Sequence, residues 1–489
     1  MPTPLLCETV TGRTMAEVRA ARDRVRDADM VEVRLDGVID ADASGAVEGR
    51  RLPVVVTCRA AWEGGRFDAD EETRLRLLTD ALRAGAEYVD VEWRAAHATV
   101  LGAAGGSRVV LSHHDFEGVP SDLADRLRAM RATGAAVVKV AAMTHTLSDC
   151  LTLLALPRDG QQVVIGMGPS GVATRVLAAR FGSCWMYAGQ GAAPGQVPST
   201  VLASTYRFRS LGEETAVFGL VGKPVMHSLS PAMHNAAFGA HGTDAVYLPL
   251  EASDFGDFER FAERLGIRGA SVTIPFKRDA LRAARTVDPI AQAVGAVNTL
   301  RRSGEGWEAT NTDVDGFLAP LLRAERTGGL PLPGARAAVV GAGGSARAVA
   351  AGLVARGAIV TVHARDAAKA ATVVGEIGGG VGAWPVPAGS WDLLVNCTPL
   401  GSLARAGESP VPDGACDGRV VYDLVYAPAE TRLLRAAAAA GLQTIGGLEM
   451  LVAQAERQYE WWTGTAAPTG LMAAAARAAQ GTAAVRNGA

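Results

Sequence analysis

Between residues 5 and 210, short apolar runs rich in β-branched residues alternate with amphipathic stretches, and the alternation occurs eight times. The strand-like runs are 5–10, 30–36, 53–59, 88–93, 108–113, 136–142, 162–167 and 184–188. Helical stretches between them include 14–28, 70–84, 121–132, 146–156, 170–180 and 198–210, and those after the second and fourth strands are weaker. Eight such alternations within about 210 residues predict a parallel (β/α)8 barrel, or TIM barrel, over residues 1–212. A barrel of this kind carries its chemistry at the C-terminal ends of its strands. Those ends hold Glu32, Arg34 and Asp36, then Arg59, then Asp90 and Glu92, then His113 and His114, then Lys139. The expected result is a polar cluster at one rim.

Around 210–216 the pattern restarts with a strand from Val217 to Val221, and a mixed α/β region runs over 213–325. Pro331 to Gly334 reads as a linker. The run Ala337 to Ala346 then passes from strand to glycine loop to helix, the entry pattern of a Rossmann nucleotide-binding domain over 326–448. Residues 449–489 read as a C-terminal helical segment. The whole chain is therefore expected to be α/β. Its 489 residues fit about three domains on the usual prior of roughly 150 residues each.

A formal net charge of −3 argues against a nucleic-acid-binding surface. No run of about 18 apolar residues predicts a membrane span. No signal or transit pattern opens the sequence, so a cytoplasmic protein is expected. The six cysteines show neither metal-site nor redox spacing, which implies free thiols and no metal centre.

Only Lys139, Lys223, Lys277 and Lys369 among the 48 basic residues are lysines. Arginine replaces lysine on most surfaces but cannot easily lose its proton. The retained lysines are therefore candidates for amine chemistry. Lys139, in the apolar sixth strand, suits an imine-forming amine, since a desolvated neutral amine attacks ketones. The iminium so formed is an electron sink, and removal of the adjacent proton then needs a base. His114, at the end of the preceding strand, is the candidate, with strand parity leaving the His113/His114 choice open. Glu63 could orient the histidine. Arg34, Arg59 and Arg175 could hold a carboxylate and hydroxyls through forked hydrogen bonds.

In the second half, Lys277 and Asp313 form a pair that could pass a proton to a carbonyl oxygen as a hydride reaches its carbon. Ser228 and Ser230 could grip one carboxylate, or simply cap a helix before Pro231. The loop Gly341, Ala342, Gly343, Gly344, Ser345 and Ala346 should cradle a pyrophosphate at a helix N-terminus. Arg365 and Lys369, after the next strand, favour the 2′-phosphate of NADP. Asp366 between them would suit NAD, the less favoured cofactor.

The motifs Glu32-Val-Arg-Leu-Asp36, the Arg59/Glu63 pair, Ser112-His-His-Asp-Phe116, Val138-Lys-Val-Ala141, Phe181-Gly-Ser183 and Ala193-Pro-Gly-Gln196 resemble type I 3-dehydroquinate dehydratase, in order and across the whole first segment. The resemblance implies an imine on Lys139, proton shuttling by His114 and support from Glu63. It also implies substrate binding by Glu32, Arg34, Arg59, Arg175 and Gln196. One departure is Ala192, where the family usually has serine.

Residues 228–231, 272–277, 295–299, 311–313, 396–401, 422–426 and 447–454 resemble shikimate dehydrogenase. That likeness implies that Ser228, Ser230, Thr273, Asn298, Tyr426 and Gln454 surround shikimate. Lys277 and Asp313 would be catalytic, and Thr398, Leu424 and Gly447 would lie near the cofactor. The family's Asn-Arg-Thr phosphate clamp is Ala364-Arg365-Asp366 here.

Together the halves imply consecutive steps, from 3-dehydroquinate through 3-dehydroshikimate to shikimate, in one chain. The partners expected are these small molecules, without nucleic acid or membrane. The rivals are a quinate dehydrogenase fusion working catabolically and a non-catalytic metabolite sensor. A sensor should have lost Lys139, His114, Lys277 or Asp313, and all four are present.

Overall fold

A computed structural model describes residues 3–487 except 190, 192, 305, 413 and 414, so the Ala192 departure lies outside the described residues. The eight expected strands form as β1 Leu5–Val10, β2 Met30–Arg34, β3 Val54–Thr57, β4 Tyr88–Glu92, β5 Val109–Asp115, β6 Val137–Met143, β7 Gln162–Met167 and β8 Trp185–Ala188. They lie in the order β7-β6-β5-β4-β3-β2-β1-β8, a nearly closed parallel barrel. At the seam, the Cys184 amide donates to the Gln162 carbonyl at 2.8 Å, and the Val164 amide donates to Ser183 Oγ at 2.9 Å. A side-chain oxygen thus takes one place that a ladder carbonyl would fill.

The helices are shorter than the sequence pattern suggests. The stretch 170–180 becomes a tight turn Pro169–Gly171 and a helix Val172–Val176. The stretch 198–210 splits into Ser199–Ser204 and a turn Phe208–Ser210. Between these two pieces stands Arg207, at φ 53°, a left-handed conformation that interrupts a right-handed helix. The two weak stretches do form short helices, Ala43–Val47 and Ala98–Ala104. β5 and β6 instead run further than expected, to Asp115 and Met143.

The next strands are β9 Ala216–Gly222, β10 Ala245–Glu251, β11 Gly269–Val272, β12 Thr286–Val287, β13 Thr299–Ser303 and β14 Gly306–Thr310. β9, β11, β13, β14 and β12 lie side by side in that order, with β13 antiparallel to both its neighbours. Six further strands follow: β15 Arg336–Val340, β16 Ile359–His363, β17 Gly380–Gly382, β18 Leu393–Asn396, β19 Val420–Asp423 and β20 Gln443–Gly446. They are all parallel, in the order β17-β16-β15-β18-β19-β20. Counted from β15 this is 3-2-1-4-5-6, the doubly wound order of dinucleotide-binding folds.

Alternate residues of these strands face opposite layers. Val339, Val362, Val395 and Tyr422 join one core with Val349 and Leu353, whereas Val340, Leu394 and Val421 join another with Trp391 and Leu433. Strands buried on both faces read as continuous apolar runs, which is how they appear in the sequence.

By compactness the chain divides into two units. One is 1–217 with 224–226 and 244–266, and the other is 218–223 with 227–243 and 267–489. In the first, helix Phe255–Leu265 packs on helix Leu147–Leu154. The buried Asp257 carboxylate accepts the Leu147 and Ser148 amides at 2.9 and 2.8 Å. Among the described residues no helix is long and apolar enough to cross a membrane.

Two candidate active sites

The barrel encloses a cavity of about 160 Å3 lined by Lys139, His114, Glu63, Glu32, Arg34, Arg59, Arg175 and Gln196, all selected from the sequence. Strand register explains the gathering. Ser112 pairs with Lys139 and His114 with Ala141, so Lys139 and His114 stand on neighbouring strands, one inward-facing position apart. Inward positions alternate along a strand, which settles the histidine pair. His113 faces the other way, against Trp93 and 3.0 Å from an Arg126 guanidinium nitrogen.

Lys139 is buried, and its Nζ donates to Asp90 Oδ2 at 3.0 Å. It lies 3.9 Å from Glu32 Oε1 and 4.0 Å from the centre of the Tyr187 ring. Asp90 is itself held by Arg59 at 2.7 Å and by the Ser112 hydroxyl at 2.6 Å. Burial alone would raise the Asp90 carboxyl, but Arg59 and Lys139 outweigh it and hold the group well below the ordinary carboxylate range. Arg59 also donates to Glu92 at 3.0 Å and to Ser112 at 2.7 Å, so its guanidinium is committed to the barrel wall. Asp90 and Glu92 belong to the rim cluster visible in the sequence. Tyr187 gave no sequence signal beyond its place in an apolar strand.

Glu63 reaches His114 because the chain after β3 folds back sharply. Gly64 has φ 78°, and a side chain there would meet the Phe116 ring at 2.4 Å, while one at Gly65 would meet the Arg59 carbonyl at 2.0 Å. Glu63 Oε1 then accepts both the His114 amide and its Nδ1–H, each at 2.9 Å. This fixes the tautomer and leaves Nε2 as the basic nitrogen. Burial, with the nearby Arg59 and Lys139 cations, pushes the His114 pKa well below 6.5, so the imidazole is neutral at neutral pH. Burial raises the Glu63 carboxyl to about 7 against the pull of Arg59.

The arginines divide by partner. Arg34 forks onto Asp36 at 2.7 and 2.9 Å. Arg175 is buried and, among the described residues, meets only carbonyls, those of Tyr187 at 3.4 Å and Pro194 at 3.2 Å, while its Nε has no hydrogen-bond partner there. Burial lowers its pKa to about 10, still far above neutrality. A buried cation without an anion is costly, and an incoming carboxylate would relieve it. Glu32 accepts from Thr9 and Thr57, both at 2.8 Å, and Gln196 donates to the Ala188 carbonyl at 3.0 Å.

In the second unit Lys277 Nζ contacts Asp313 Oδ2, and Asp313 Oδ1 accepts from Asn298 Nδ2 at 2.8 Å. Lys277 opens helix Lys277–Ala283 and Asp313 opens helix Asp313–Arg326. Asn298 is fixed in turn by the Thr312 amide at 2.8 Å and the Thr299 hydroxyl at 2.7 Å. Gln458, absent from the sequence selection, donates to the Asn298 carbonyl at 3.3 Å and accepts from Ser271 at 2.7 Å. The bonds of the other expected ligands run elsewhere. Gln454 donates to the Leu451 carbonyl of its own helix at 2.8 Å. Ser228 Oγ accepts the Ser230 amide at 3.2 Å, at the start of helix Ser230–Ala240. The Thr273 amide donates to the Val221 carbonyl at 2.9 Å, and the Tyr426 carbonyl accepts from Gln480 at 2.6 Å.

The glycine loop follows β15. Gly341 has φ 117°, and Gly343 caps helix Gly344–Ala355 at a point where a side chain would meet nothing within 4 Å. This open space lies before a helix N-terminus, whose first amides lack intrahelical partners. Ala342 borders the core, and Ser345 and Ala346 complete the first turn. A side chain at Gly344 would lie 3.2 Å from Lys277 Cδ, so the loop and the lysine are neighbours. After β16, Arg365 is exposed, while Asp366 caps helix Ala367–Ile377 through the Ala368 and Lys369 amides at 3.1 and 3.3 Å. Lys369 Nζ lies 3.8 Å from Asp366. Thr398 is tied to Asn396 at 2.7 Å. Gly447 packs so close to Leu424 that a side chain there would meet its carbonyl oxygen at 2.2 Å.

Fold and geometry define a class: a barrel enzyme with an inward lysine–histidine pair, followed by a dinucleotide-fold enzyme with a lysine–aspartate pair. Family comparison matches residues 6–213 to type I 3-dehydroquinase. It matches 220–300 to the shikimate dehydrogenase substrate binding domain and 447–477 to the shikimate 5′-dehydrogenase C-terminal domain. A bifunctional 3-dehydroquinate dehydratase/shikimate dehydrogenase of Arabidopsis thaliana, described as chloroplastic, is 33% identical over 95% of this chain and 83% of its own length. The NADP(+) shikimate dehydrogenase of Halobacterium salinarum is 44% identical, over 54% of this chain and 98% of its own. A solved shikimate dehydrogenase from Aquifex aeolicus, 30% identical, covers 55% of this chain and 99% of its own with a TM-score of 0.50. The chain belongs to the bifunctional 3-dehydroquinate dehydratase/shikimate dehydrogenase family, a lyase and an oxidoreductase of the shikimate pathway in one polypeptide.

Proposed function

We propose that Lys139 performs the dehydration as an imine-forming nucleophile and that Lys277 with Asp313 serves the reduction. The observation that carries the first assignment is the shared cavity of Lys139, the Glu63-anchored His114 and the anion-free Arg175. Arg175 binds the carboxylate of 3-dehydroquinate. Lys139 gives its ammonium proton to the ketone oxygen as the freed amine attacks, and loss of water gives the protonated imine. His114 Nε2 takes a proton from the adjacent carbon, and the resulting enamine expels the neighbouring hydroxyl. That hydroxyl leaves as water when His114 returns the proton. Hydrolysis of the imine then frees 3-dehydroshikimate and Lys139. Asp90 accepts a hydrogen bond from the Lys139 nitrogen whenever that nitrogen carries a proton, and Glu63 keeps His114 in the productive tautomer.

In the second half the open glycine loop fits a dinucleotide pyrophosphate, and exposed Arg365 with Lys369 fits a 2′-phosphate. Asp366, the residue that would favour NAD, has its carboxylate engaged as a helix cap. These contacts support NADP over NAD. NADPH, when bound, supplies the hydride. Lys277 donates a proton to the carbonyl oxygen of 3-dehydroshikimate, Asp313 holds the ammonium in place, and Asn298 orients Asp313. Ser228 and Ser230 are proposed to bind the substrate carboxylate, with Thr273, Tyr426 and Gln454 lining the site. Thr398, Leu424 and Gly447 shape the nicotinamide side.

The test is a coupled assay with 3-dehydroquinate and either NADPH or NADH. Shikimate should form with NADPH preferred. Lys139→Arg should abolish dehydration and borohydride trapping of substrate on the enzyme, while sparing reduction of added 3-dehydroshikimate. Persistent dehydration in that variant would overturn the imine assignment. Lys277→Ala should show the reverse loss, mainly in kcat.

A further inference from the structure

The first turn of a helix favours negative charge, yet helix Gly344–Ala355 carries the buried Arg347 there, directly after the glycine loop. Its guanidinium is neutralised by Glu376, which ends the neighbouring helix Ala367–Ile377. The other Glu376 oxygen lies 3.7 Å from Arg278 Nη2, on the residue immediately after Lys277. One carboxylate therefore touches both the helix that begins at the glycine loop and the helix that begins at Lys277.

The geometry around it agrees. A side chain at Gly295 would come 3.5 Å from Glu376 Oε2 and 3.9 Å from Arg347 Nη1, so glycine leaves room for this pair. Val294, Ala296 and Ala348 form a small shared core beneath it. The two helices meet where Gly344 adjoins Lys277 Cδ, at the spacing on which proton delivery depends. The arm to Arg278 is exposed and weak by itself, so the arm to buried Arg347 supplies the anchoring and the Arg278 arm the registration.

We propose that Glu376 is a positioning residue for the reduction, clamping Arg347 and Arg278 so that Lys277 keeps its spacing from the glycine loop. This rests on the proposed role of Lys277 and extends it to a residue outside the sets proposed to bind substrate and cofactor. A misplacement of about 1 Å can cost up to roughly a hundredfold in rate. A partial loosening by Glu376→Gln should accordingly lower kcat for 3-dehydroshikimate reduction roughly tenfold, with KM for 3-dehydroshikimate held.

The experiment uses the full-length chain with Glu376→Gln, Glu376→Asp, Arg278→Ala and the Glu376→Gln/Arg278→Ala pair. The melting transition of each variant, followed by circular dichroism, serves as the measure of folded reductase. Glu376→Asp should recover most of kcat, and the double variant should lose no more than Glu376→Gln alone. An unchanged kcat in Glu376→Gln overturns the proposal. So does a loss of kcat that only parallels the fraction unfolded, or strict multiplication of the two single effects. Lys277→Ala measured alongside separates the two claims: full reduction in that variant sinks the Lys277 assignment, whatever Glu376 does.

Discussion

At the level of single residues, the barrel site works by dividing partners among charges of the same kind. Arg34 and Arg59 are already satisfied by Asp36, Asp90 and Glu92, while Arg175 has only carbonyls among the described residues. Arg175→Ala should therefore raise KM for 3-dehydroquinate more than Arg34→Ala does, by roughly ten- to hundredfold, measured by initial rates. Glu63→Ala should free the His114 ring from its fixed tautomer and lower dehydratase kcat about ten- to hundredfold, a share of what acid–base catalysis contributes. The pH profile follows from the direction of the His114 shift. The base works unprotonated, and burial beside two cations depresses its pKa, so protonation is delayed on acidification. The acid limb of dehydratase kcat/KM that belongs to His114 should consequently fall below pH 6.5; in Glu63→Gln, where the carboxyl raised to about 7 is gone, a limb centred above 6.5 would contradict the environment assigned to His114. Some of this was readable beforehand. Lysine scarcity and strand-end position led to Lys139, because an apolar strand rarely retains an amine. Asp90 as its partner was not readable, since a bond between β4 and β6 exists only once the strands curve into a barrel.

At the level of elements, register and close approach decide what the motifs can do. β5 extends past His113 to Asp115, and the extension puts His114 on the inward side with Ser112. Sequence periodicity ended that strand at 113 because His and Asp interrupt the apolar run, and so left the choice of histidine undecided. Gln454 and Gln458 stand four residues apart on helix Gly447–Thr463 and differ in use. Gln458 crosses to Asn298 and Ser271, whereas Gln454 bonds to its own helix. Motif resemblance pointed to Gln454, and nothing in helical spacing distinguishes two buried glutamines one turn apart. The same helix begins at Gly447, pressed on the Leu424 carbonyl. Gly447→Ala should overpack this junction and cost about 1–3 kcal/mol. It should appear as a lowered melting transition with reductase activity lost before dehydratase activity.

For the whole molecule, the proposed assignments give the two chemistries separate lysines and separate residue sets. A mixture of the Lys139→Arg and Lys277→Ala chains should convert 3-dehydroquinate to shikimate with a lag, because the intermediate must leave one chain and reach another. The wild-type chain at equal site concentration should show a shorter lag only if tethering raises the local concentration of intermediate, and progress curves of both preparations measure this. The eightfold alternation, the doubly wound half and the selection of Lys139, Lys277 and Asp313 as candidates came from sequence alone. Strand and helix periods are local properties, and reactive residue types placed at strand ends and in ordered motifs survive without any tertiary information. Only the tertiary structure decided which histidine faces the cavity, that Asp90 holds Lys139 and that Arg175 lacks an anion. It alone showed Glu376 joining Arg347 to Arg278. Each of these depends on distances between residues 12 to about 100 positions apart, and such distances are set by how twisted strands and packed helices close on one another.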